Sequence, residues 1–334
     1  MPEGRKVVWF FGAGASRGAG ATTRVRGGGS VAIPTQADFW PVLLGFANRI
    51  DRRLIESFLF RYFRGYLRTP PRMNPVARRK SLWQVNVEEV FTFLSERMST
   101  ATLSVQQKAY FGDQVWPALI RTVGSTFRKF SPNSDTRYYY RMFCRNLLRS
   151  RDSIVSFNYD TVLEFSLSRR WHYSPFERRG VRLFKPHGSI NWETGGQNAI
   201  HRSDSVTTPV IVAPTHLKFI GLQTVPSTSN IGMLNQSDAI ATIWKRMEEQ
   251  MRSAKAFVFV GYSFPDADLY FSSVLRSVLT TSRATTGIIL VNPDALRLTE
   301  KIRARFSVES RNIRSFFDLE SFCRTDRWRL LAGL

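Results

Sequence analysis

The stretch KVVWFFGAGAS, residues 6–16, decides the fold. It joins an apolar run to a glycine-rich loop, which is typical of a buried strand followed by the start of a helix. Short apolar or β-branched runs that end in small or polar residues return later in the chain. They occupy residues 154–157, 182–184, 209–212, 256–260 and 287–291.

Helical patterns separate several of these runs, at residues 161–170, 240–253 and 269–279. Strands that alternate with helices indicate parallel βαβ units, so we expect an α/β fold with a Rossmann-like parallel sheet and helices on both faces. The chain between the first and second strands is mostly helical. We expect one domain over 1–334 with a basic helical insertion at 43–149. The helices predicted there cover residues 37–63, 86–98, 106–127 and 136–148.

Composition limits the classes of function. The 334 residues carry 48 Lys and Arg against 26 Asp and Glu, a formal net charge of +22. This charge favours attraction to nucleic acid, an acidic partner or an anionic ligand. Two cysteines, Cys144 and Cys323, exclude a disulfide scaffold and a four-cysteine zinc site.

The N-terminal apolar run is short, and a glycine-rich basic segment follows it. We therefore interpret it as a first buried strand and not as a signal peptide. No apolar run approaches the roughly 20 residues that span a bilayer. We expect a cytoplasmic protein.

Polar or small residues follow five of the predicted strands. In a parallel sheet ligands bind beyond the carboxyl ends of the strands, so these segments predict one shared crevice. The segments are GAGAS (12–16), NYD (158–160), KPHGS (185–189), GYS (261–263) and NPD (292–294).

Each segment taken alone has an ordinary structural explanation. The glycine loop could be a plain strand-to-helix turn, because Arg17 stands where a dinucleotide fingerprint has glycine. Asp160 could simply cap the helix that follows it. His187 lies between Pro186 and Gly188, yet a structural histidine is the usual finding for an isolated case.

Taken together, the five segments resemble the sirtuin-like family, specifically its divergent prokaryotic branch of anti-phage defence. The most specific pieces are HGSINW (187–192) and VGYSFPDAD (260–268), and the least specific is GAGAS. The resemblance implies a sirtuin-type Rossmann-like fold that binds NAD and cleaves the bond between nicotinamide and ribose. No spacing of His172, His201 or His216 suggests a metal site, so we expect no bound metal.

The resemblance also implies roles for individual residues. His187 would act as a base on a ribose hydroxyl or water, Asn158 would orient that water or hydroxyl, and Asp160 would line the nicotinamide pocket. Loss of nicotinamide leaves an oxocarbenium-like ribose, which polar groups stabilise and a base helps to trap. The residues implied to bind NAD are Gly12, Ala13, Gly14 and Ser16 at the pyrophosphate, Gly261 and Ser263 at phosphate and ribose, and Asn292 at the adenosine ribose.

Departures from the family narrow the expected reaction. Deacetylating sirtuins carry a four-cysteine zinc module, which the two cysteines here cannot supply, and a glutamine where Phe157 stands. The expected function is therefore NAD glycohydrolysis by an NAD-depleting effector of antiviral defence, as a homo-oligomer that works with a separate sensor or activator protein. The alternative is a non-catalytic module that binds NAD or ADP-ribose and docks on nucleic acid or an oligomeric partner.

The docking alternative rests on residues 52–80. This segment contains nine basic residues and a single acidic residue, Glu56, with aromatic residues interleaved. Such a segment could bind nucleic acid through phosphate contacts and stacking. A solvated helix face whose aromatic rings point into the core would have the same sequence.

Overall fold

The structure is a computed structural model, which describes residues 5–25, 28–63, 81–99, 103–174, 180–194, 200–203, 206, 208–212, 231–266, 268–281 and 286–332. The chain divides into two compact units. Unit 1 comprises Met1–Ile33, Ser131–Pro186 and Ile240–Leu334, and unit 2 comprises Pro34–Phe130 and His187–Ala239. The predicted boundary at residue 149 does not coincide with this division, because the chain from Ser131 onward lies in unit 1.

Unit 1 is built on a seven-stranded sheet in which every neighbouring pair of strands is parallel. Its strands are β1 (Val7–Phe11), β4 (Ser153–Ser156), β5 (Trp171–Tyr173), β6 (Val181–Phe184), β11 (Ala256–Val260), β12 (Gly287–Val291) and β13 (Ile313–Phe316). They lie in the order β13-β12-β11-β1-β4-β6-β5. The predicted Rossmann-like parallel sheet is confirmed.

Helices lie between most of these strands in the chain. A hairpin of β2 (Thr22–Arg24) and β3 (Ser30–Ala32) follows the first helix. The helices are α1 (Ala13–Gly18), α7 (Ser134–Asn146), α8 (Val162–Ser166), α9 (Ile231–Arg252, which lies in unit 1 from Ile240), α10 (Leu269–Thr281), α11 (Ala295–Phe306), α12 (Leu319–Arg324) and α13 (Arg327–Leu331).

The central strands are apolar because both faces of the sheet are covered. All five residues of β1 are buried, as are all five of β11 and of β12. The Phe10 ring lies 4.6 Å from that of Phe259 on the next strand. Strands buried on both faces are nearly all apolar, which is why the sequence predicts these three strands well.

The predictions failed at short strands. β5 and β13 were missed, since His172 and Arg314 interrupt their apolar patterns. The prediction that the run at 209–212 belongs to the parallel sheet is wrong. Its β10 (Val210–Ile211) pairs antiparallel with β7 (Gly188–Ser189) in a separate two-stranded sheet of unit 2.

The amino-terminal edge of the large sheet is fixed by a buried ion pair. Arg327 donates from both terminal nitrogens to the carboxylate of Asp152, at 2.6 and 2.9 Å, and both side chains are almost fully buried. Asp152 also accepts hydrogen bonds from the backbone N–H of Val7 and the indole of Trp9. The pair therefore ties α13 to the start of β1.

Unit 2 is mostly helical in the part that the structure describes. Its helices are α2 (Phe39–Phe46), α3 (Arg49–Tyr62), α4 (Val87–Ser99), α5 (Val105–Lys108) and α6 (Trp116–Phe127), with 3-10 turns at Gln36–Asp38 and Leu82–Gln84 and a π-helical segment at Ala109–Val115. The unit also contains β7, β10 and a hairpin of β8 (Trp192–Thr194) and β9 (Ile200–Arg202). The predicted helix at 37–63 is divided because Asn48 caps α3 by accepting the N–H groups of Ile50 and Asp51.

Two aromatic rings in the described part of the basic segment lie in the core. Phe58 and Phe63 are buried and pack with Phe93 of α4, with ring centroids 6.0 and 5.6 Å apart. These rings are unavailable for base stacking, whereas Arg53 on the same helix is exposed. Residues 64–80 of the segment lie outside the described residues. Within the described ranges, no helix is both long enough and apolar enough to cross a bilayer.

Candidate functional site

The strand order of unit 1 defines where a ligand would bind. From β1 the chain continues to β4 on one side, whereas β11, on the other side of β1, is followed by β12 still further away. This reversal between β1 and β11 is a topological switch point, and ligands of open α/β sheets bind at its carboxyl edge. The turns after these two strands contain Gly12 and Gly261.

The glycines of these turns allow the two backbones to touch. A Cβ atom at Gly12 would lie 2.6 Å from the carbonyl oxygen of Gly261, and one at Gly14 would lie 2.9 Å from it. Gly261 has a positive φ of 59°, and a Cβ there would lie 2.0 Å from the nitrogen of Ala15. The spacing GxG thus serves a close approach of two turns.

Most backbone N–H groups of this glycine loop donate hydrogen bonds to backbone carbonyl groups of the protein itself. Gly12 donates to the carbonyl of Val260, Gly14 to that of Gly261, and Ala15 to that of Gly12. The predicted pyrophosphate cradle therefore has these donors engaged in turn hydrogen bonds, while Ala13 is exposed at the start of α1.

Ser16, Asn158 and Asp160 form a buried hydrogen-bonded cluster. Nδ2 of Asn158 donates to the carbonyl of Gly12 at 3.0 Å and to Oγ of Ser16 at 3.2 Å. Oγ of Ser16 lies 3.3 Å from both carboxylate oxygens of Asp160. The end of β4 is thereby joined to the glycine loop after β1.

The carboxyl of Asp160 has an unusual affinity for its proton. Burial raises its pKa from 3.8 to about 6, against the opposing effect of the Lys185 ammonium group, while the charge of Glu164 raises it further. Oδ1 also accepts the N–H of Val162 at 2.9 Å, which forms an Asx turn just before α8. The N-cap residue of α8 is Thr161 and not Asp160, so the predicted N-cap role is wrong, and Asp160 combines the turn with membership of the cluster.

Lys185 and Glu164 are the residues that the sequence analysis missed. Lys185 follows β6, has no exposed surface, and donates to the carbonyl oxygen of Asp160 at 2.5 Å and to Oε1 of Glu164 at 2.7 Å. Tyr173 donates to the same Glu164 oxygen at 3.1 Å. The sequence did contain a signal for Lys185, since it stands between the strand VRLF and Pro186. A lysine at the end of a buried strand indicates a partner, because lysine is rarely buried without one.

The turn after β11 is built around an aromatic stack. The ring of Tyr262 stacks on Phe157 with centroids 4.7 Å apart, and its hydroxyl donates to Asp268 at 2.8 Å. Phe157 thus places an apolar ring directly before Asn158. Ser263 is exposed beside this stack.

Asn292 lies at the carboxyl end of β12, two strands from β1. Its Oδ1 accepts the backbone N–H of Asp294 at 3.0 Å, and its own N–H donates to Phe316. This is the geometry of an Asx turn at the start of α11.

His187 is the first residue of unit 2 and is described there. Its side chain is buried, and its carbonyl accepts the N–H of Val212. Gly188 has a φ of 80°, and a Cβ there would lie 2.1 Å from the carbonyl oxygen of Val210. The motif HGSINW continues into β8, where Trp192 is almost completely buried.

Among the described residues, no group of three or more His, Cys, Asp or Glu side chains is arranged to hold a metal ion. Cys144 and Cys323 are both buried thiols. Burial raises the pKa of Cys323 to about 12, so it is protonated at neutral pH.

An open parallel sheet whose glycine turn and polar strand ends meet at a switch point is the architecture of nucleotide-binding α/β proteins. Residues 152–316 match the model of the SIR2-like domain. This match supports a sirtuin-like family, to which the observed Rossmann-like sheet conforms, and it relates the protein to NAD, on which SIR2-like domains generally depend. No curated protein is similar enough to the chain to match it.

The match covers β4 to β13 and so includes Asn158, Asp160, His187, Gly261 and Asn292. The glycine loop after β1 lies outside it. That loop is connected to the matched part by the hydrogen bonds of Ser16 and Asn158.

Proposed function

We propose that the protein is an NAD glycohydrolase, which converts NAD and water into ADP-ribose, nicotinamide and a proton. The observation that supports this most directly is the cluster of Ser16, Asn158 and Asp160 at the switch point of the sheet. The SIR2-like match adds NAD as the substrate class.

The side chains suit the steps of such a reaction. The two hydrogen bonds from Nδ2 of Asn158 fix its amide, so that the amide can orient a water or ribose hydroxyl. A carboxyl with a pKa of about 6, like that of Asp160, is partly protonated near neutrality and presents both a donor and an acceptor beside nicotinamide. His187 acts as the base that takes the proton of the attacking water, since an imidazole titrates near neutral pH.

We also propose the biological setting that the resemblance implies. The protein depletes NAD as an effector of prokaryotic antiviral defence, acts in the cytoplasm as a homo-oligomer, and is switched on by a separate sensor or activator. A hydrolase that destroys a central cofactor requires such an off-state.

The alternative is a non-catalytic module that binds NAD or ADP-ribose and docks on nucleic acid or an oligomeric partner. One observation favours it. The amides of Asn158 and Asn292 both make hydrogen bonds within the protein, as a binding scaffold would use them.

Nicotinamide release by the purified full chain tests the proposal, with and without added DNA or RNA. We expect His187→Ala to lower release at least about a hundredfold, in the range for loss of a general base. Asn158→Ala should also lower release, because the attacking water or ribose hydroxyl is then no longer oriented. The matched control is His201→Ala, since His201 is exposed on β9 and paired with Glu193. NAD that is retained without turnover under every activating condition would establish the binding module instead.

A further inference from the structure

The buried pair of Lys185 and Glu164 calls for an explanation beyond packing. Both side chains are almost fully withdrawn from solvent, with 0% and 3% exposure. A buried ion pair adds little net stability compared with well-packed apolar residues of the same size. Lys185 is also not paired with Glu164 alone, because its shorter contact is to the backbone carbonyl of Asp160.

The position of this pair connects it with the site. Lys185 lies at the carboxyl end of β6, which pairs directly with β4. The residues after β4 carry Asn158 and Asp160, and Glu164 lies one turn further on in α8. One ammonium group therefore contacts both the loop that holds the cluster and the helix that follows it.

We propose that Lys185 is a positioning residue of the site, whose ammonium group holds the carbonyl of Asp160 and, through Glu164, the first turn of α8, so that Ser16, Asn158 and Asp160 keep their mutual contacts. As far as NAD is concerned, this inference rests on the proposed function. The contacts among the protein's own residues do not.

Charged and titratable groups surround Asp160 from each neighbouring element. Lys185 approaches from β6, Glu164 from α8 and Tyr140 from α7, while the hydroxyl of Ser16 approaches from α1. The charges of Lys185 and Glu164 act on the Asp160 carboxyl in opposite directions, the first lowering its pKa and the second raising it.

Carboxyl NMR titration of the full chain labelled with ¹³C-aspartate provides the first test, and Asp160→Asn identifies the Asp160 signal. Lys185→Met is expected to raise the pKa of Asp160, and Glu164→Gln to lower it. Lys6→Met is the matched control, because Lys6 bonds Gln250 and Ser253 at the opposite edge of the sheet. Shifts in the same direction, or an unmoved signal in Glu164→Gln, would overturn the proposal.

NAD binding provides the second test, by calorimetry on the full chain. Since Lys185→Met leaves Glu164 buried without its counter-charge, the double variant Lys185→Met/Glu164→Gln removes both charges together and is expected to fold. It lacks the hydrogen bond to Asp160, so the dissociation constant for NAD should rise at least tenfold, with Lys6→Met unchanged. A double variant that binds NAD as tightly as the unmodified protein would refute the positioning role.

The two proposals can fail separately. If the unmodified protein neither binds NAD nor releases nicotinamide, the proposed function is wrong, while the opposite pKa shifts still decide whether Lys185 and Glu164 control Asp160.

Discussion

Asp160 uses its two carboxylate oxygens in different ways. Oδ1 accepts the N–H of Val162 in a turn before α8, and both oxygens face the hydroxyl of Ser16. The sequence allowed a turn, a helix cap or a site residue, because a carboxylate before a helix is common. In the structure one side chain forms the turn and joins the cluster, while Thr161 is the N-cap residue of α8.

At this residue the pH dependence of stability has a definite sign. The pKa of Asp160 is raised from 3.8 to about 6 on folding, so the folded protein binds this proton more tightly than the unfolded chain. The contribution to stability is fully present below pH 3.8 and is lost as the pH rises to about 6. In Asp160→Asn this loss is absent. As the pH rises over that range, the free energy of unfolding of the variant should therefore increase by about 3 kcal/mol relative to that of the unmodified protein.

Urea unfolding at pH values from about 3.5 to about 7.5, on both sides of the interval between the two pKa values, measures this difference. Asp318→Asn is the control, because the backbone N–H of Ser321 lowers the pKa of the exposed Asp318 and its effect has the opposite sign. A difference between Asp160→Asn and the unmodified protein that does not change with pH would contradict the assignment.

At the scale of elements, the turns after β1 and β11 depend on each other. The sequence showed the glycines of the first turn and suggested a phosphate loop. The tertiary structure shows that Gly12 and Gly14 accommodate the carbonyl of Gly261, which lies about 250 residues away in the chain. Only the placement of β11 beside β1 creates this requirement.

Gly261→Ala is therefore expected to destabilise the protein strongly. Its φ of 59° is strained for alanine, at about 1–3 kcal/mol, and the new methyl group would also overlap the backbone of Ala15. Gly18→Ala is the matched control, since no atom lies within 4 Å of the position of its Cβ. The free energy of unfolding in urea distinguishes the two variants, and equal stability of both would refute the close approach.

The sequence predicted the buried strands of the sheet but not its edge strand β13 or the boundary between α2 and α3. Strands with unbroken apolar runs were found, whereas β13 was missed because it is an edge strand with all four residues partly exposed. Asn48, which caps α3 and so divides the helix predicted at 37–63, was visible in the sequence but indistinguishable from a helical surface residue.

At the scale of the whole molecule, a net charge of +22 predicts attraction to polyanions. In the described part of the basic segment Phe58 and Phe63 are core residues, whereas Arg53 is exposed and available for phosphate contacts with nucleic acid. Binding of this kind falls steeply with salt because each phosphate contact releases counterions.

Filter binding of single-stranded RNA between about 50 and about 200 mM salt tests this expectation, and affinity should fall by about 10³ or more. Arg49→Ser/Arg53→Ser, at exposed positions of α3, should reduce the slope against the logarithm of salt by about 2. Arg311→Ser/Arg324→Ser removes the same charge where both arginines are paired with acids, and serves as the control. Absence of RNA binding at low salt would exclude the nucleic-acid partner.

The sequence by itself determined the parallel sheet and the polar residues at its strand ends. A strand covered on both faces is nearly all apolar, and the first residues after it are released from that constraint. Only the tertiary structure decided which of these residues meet. Lys185 and Asp160 are 25 residues apart, and their contact follows from the pairing of β4 with β6. Strand order depends on packing over the whole chain, so no local pattern records it.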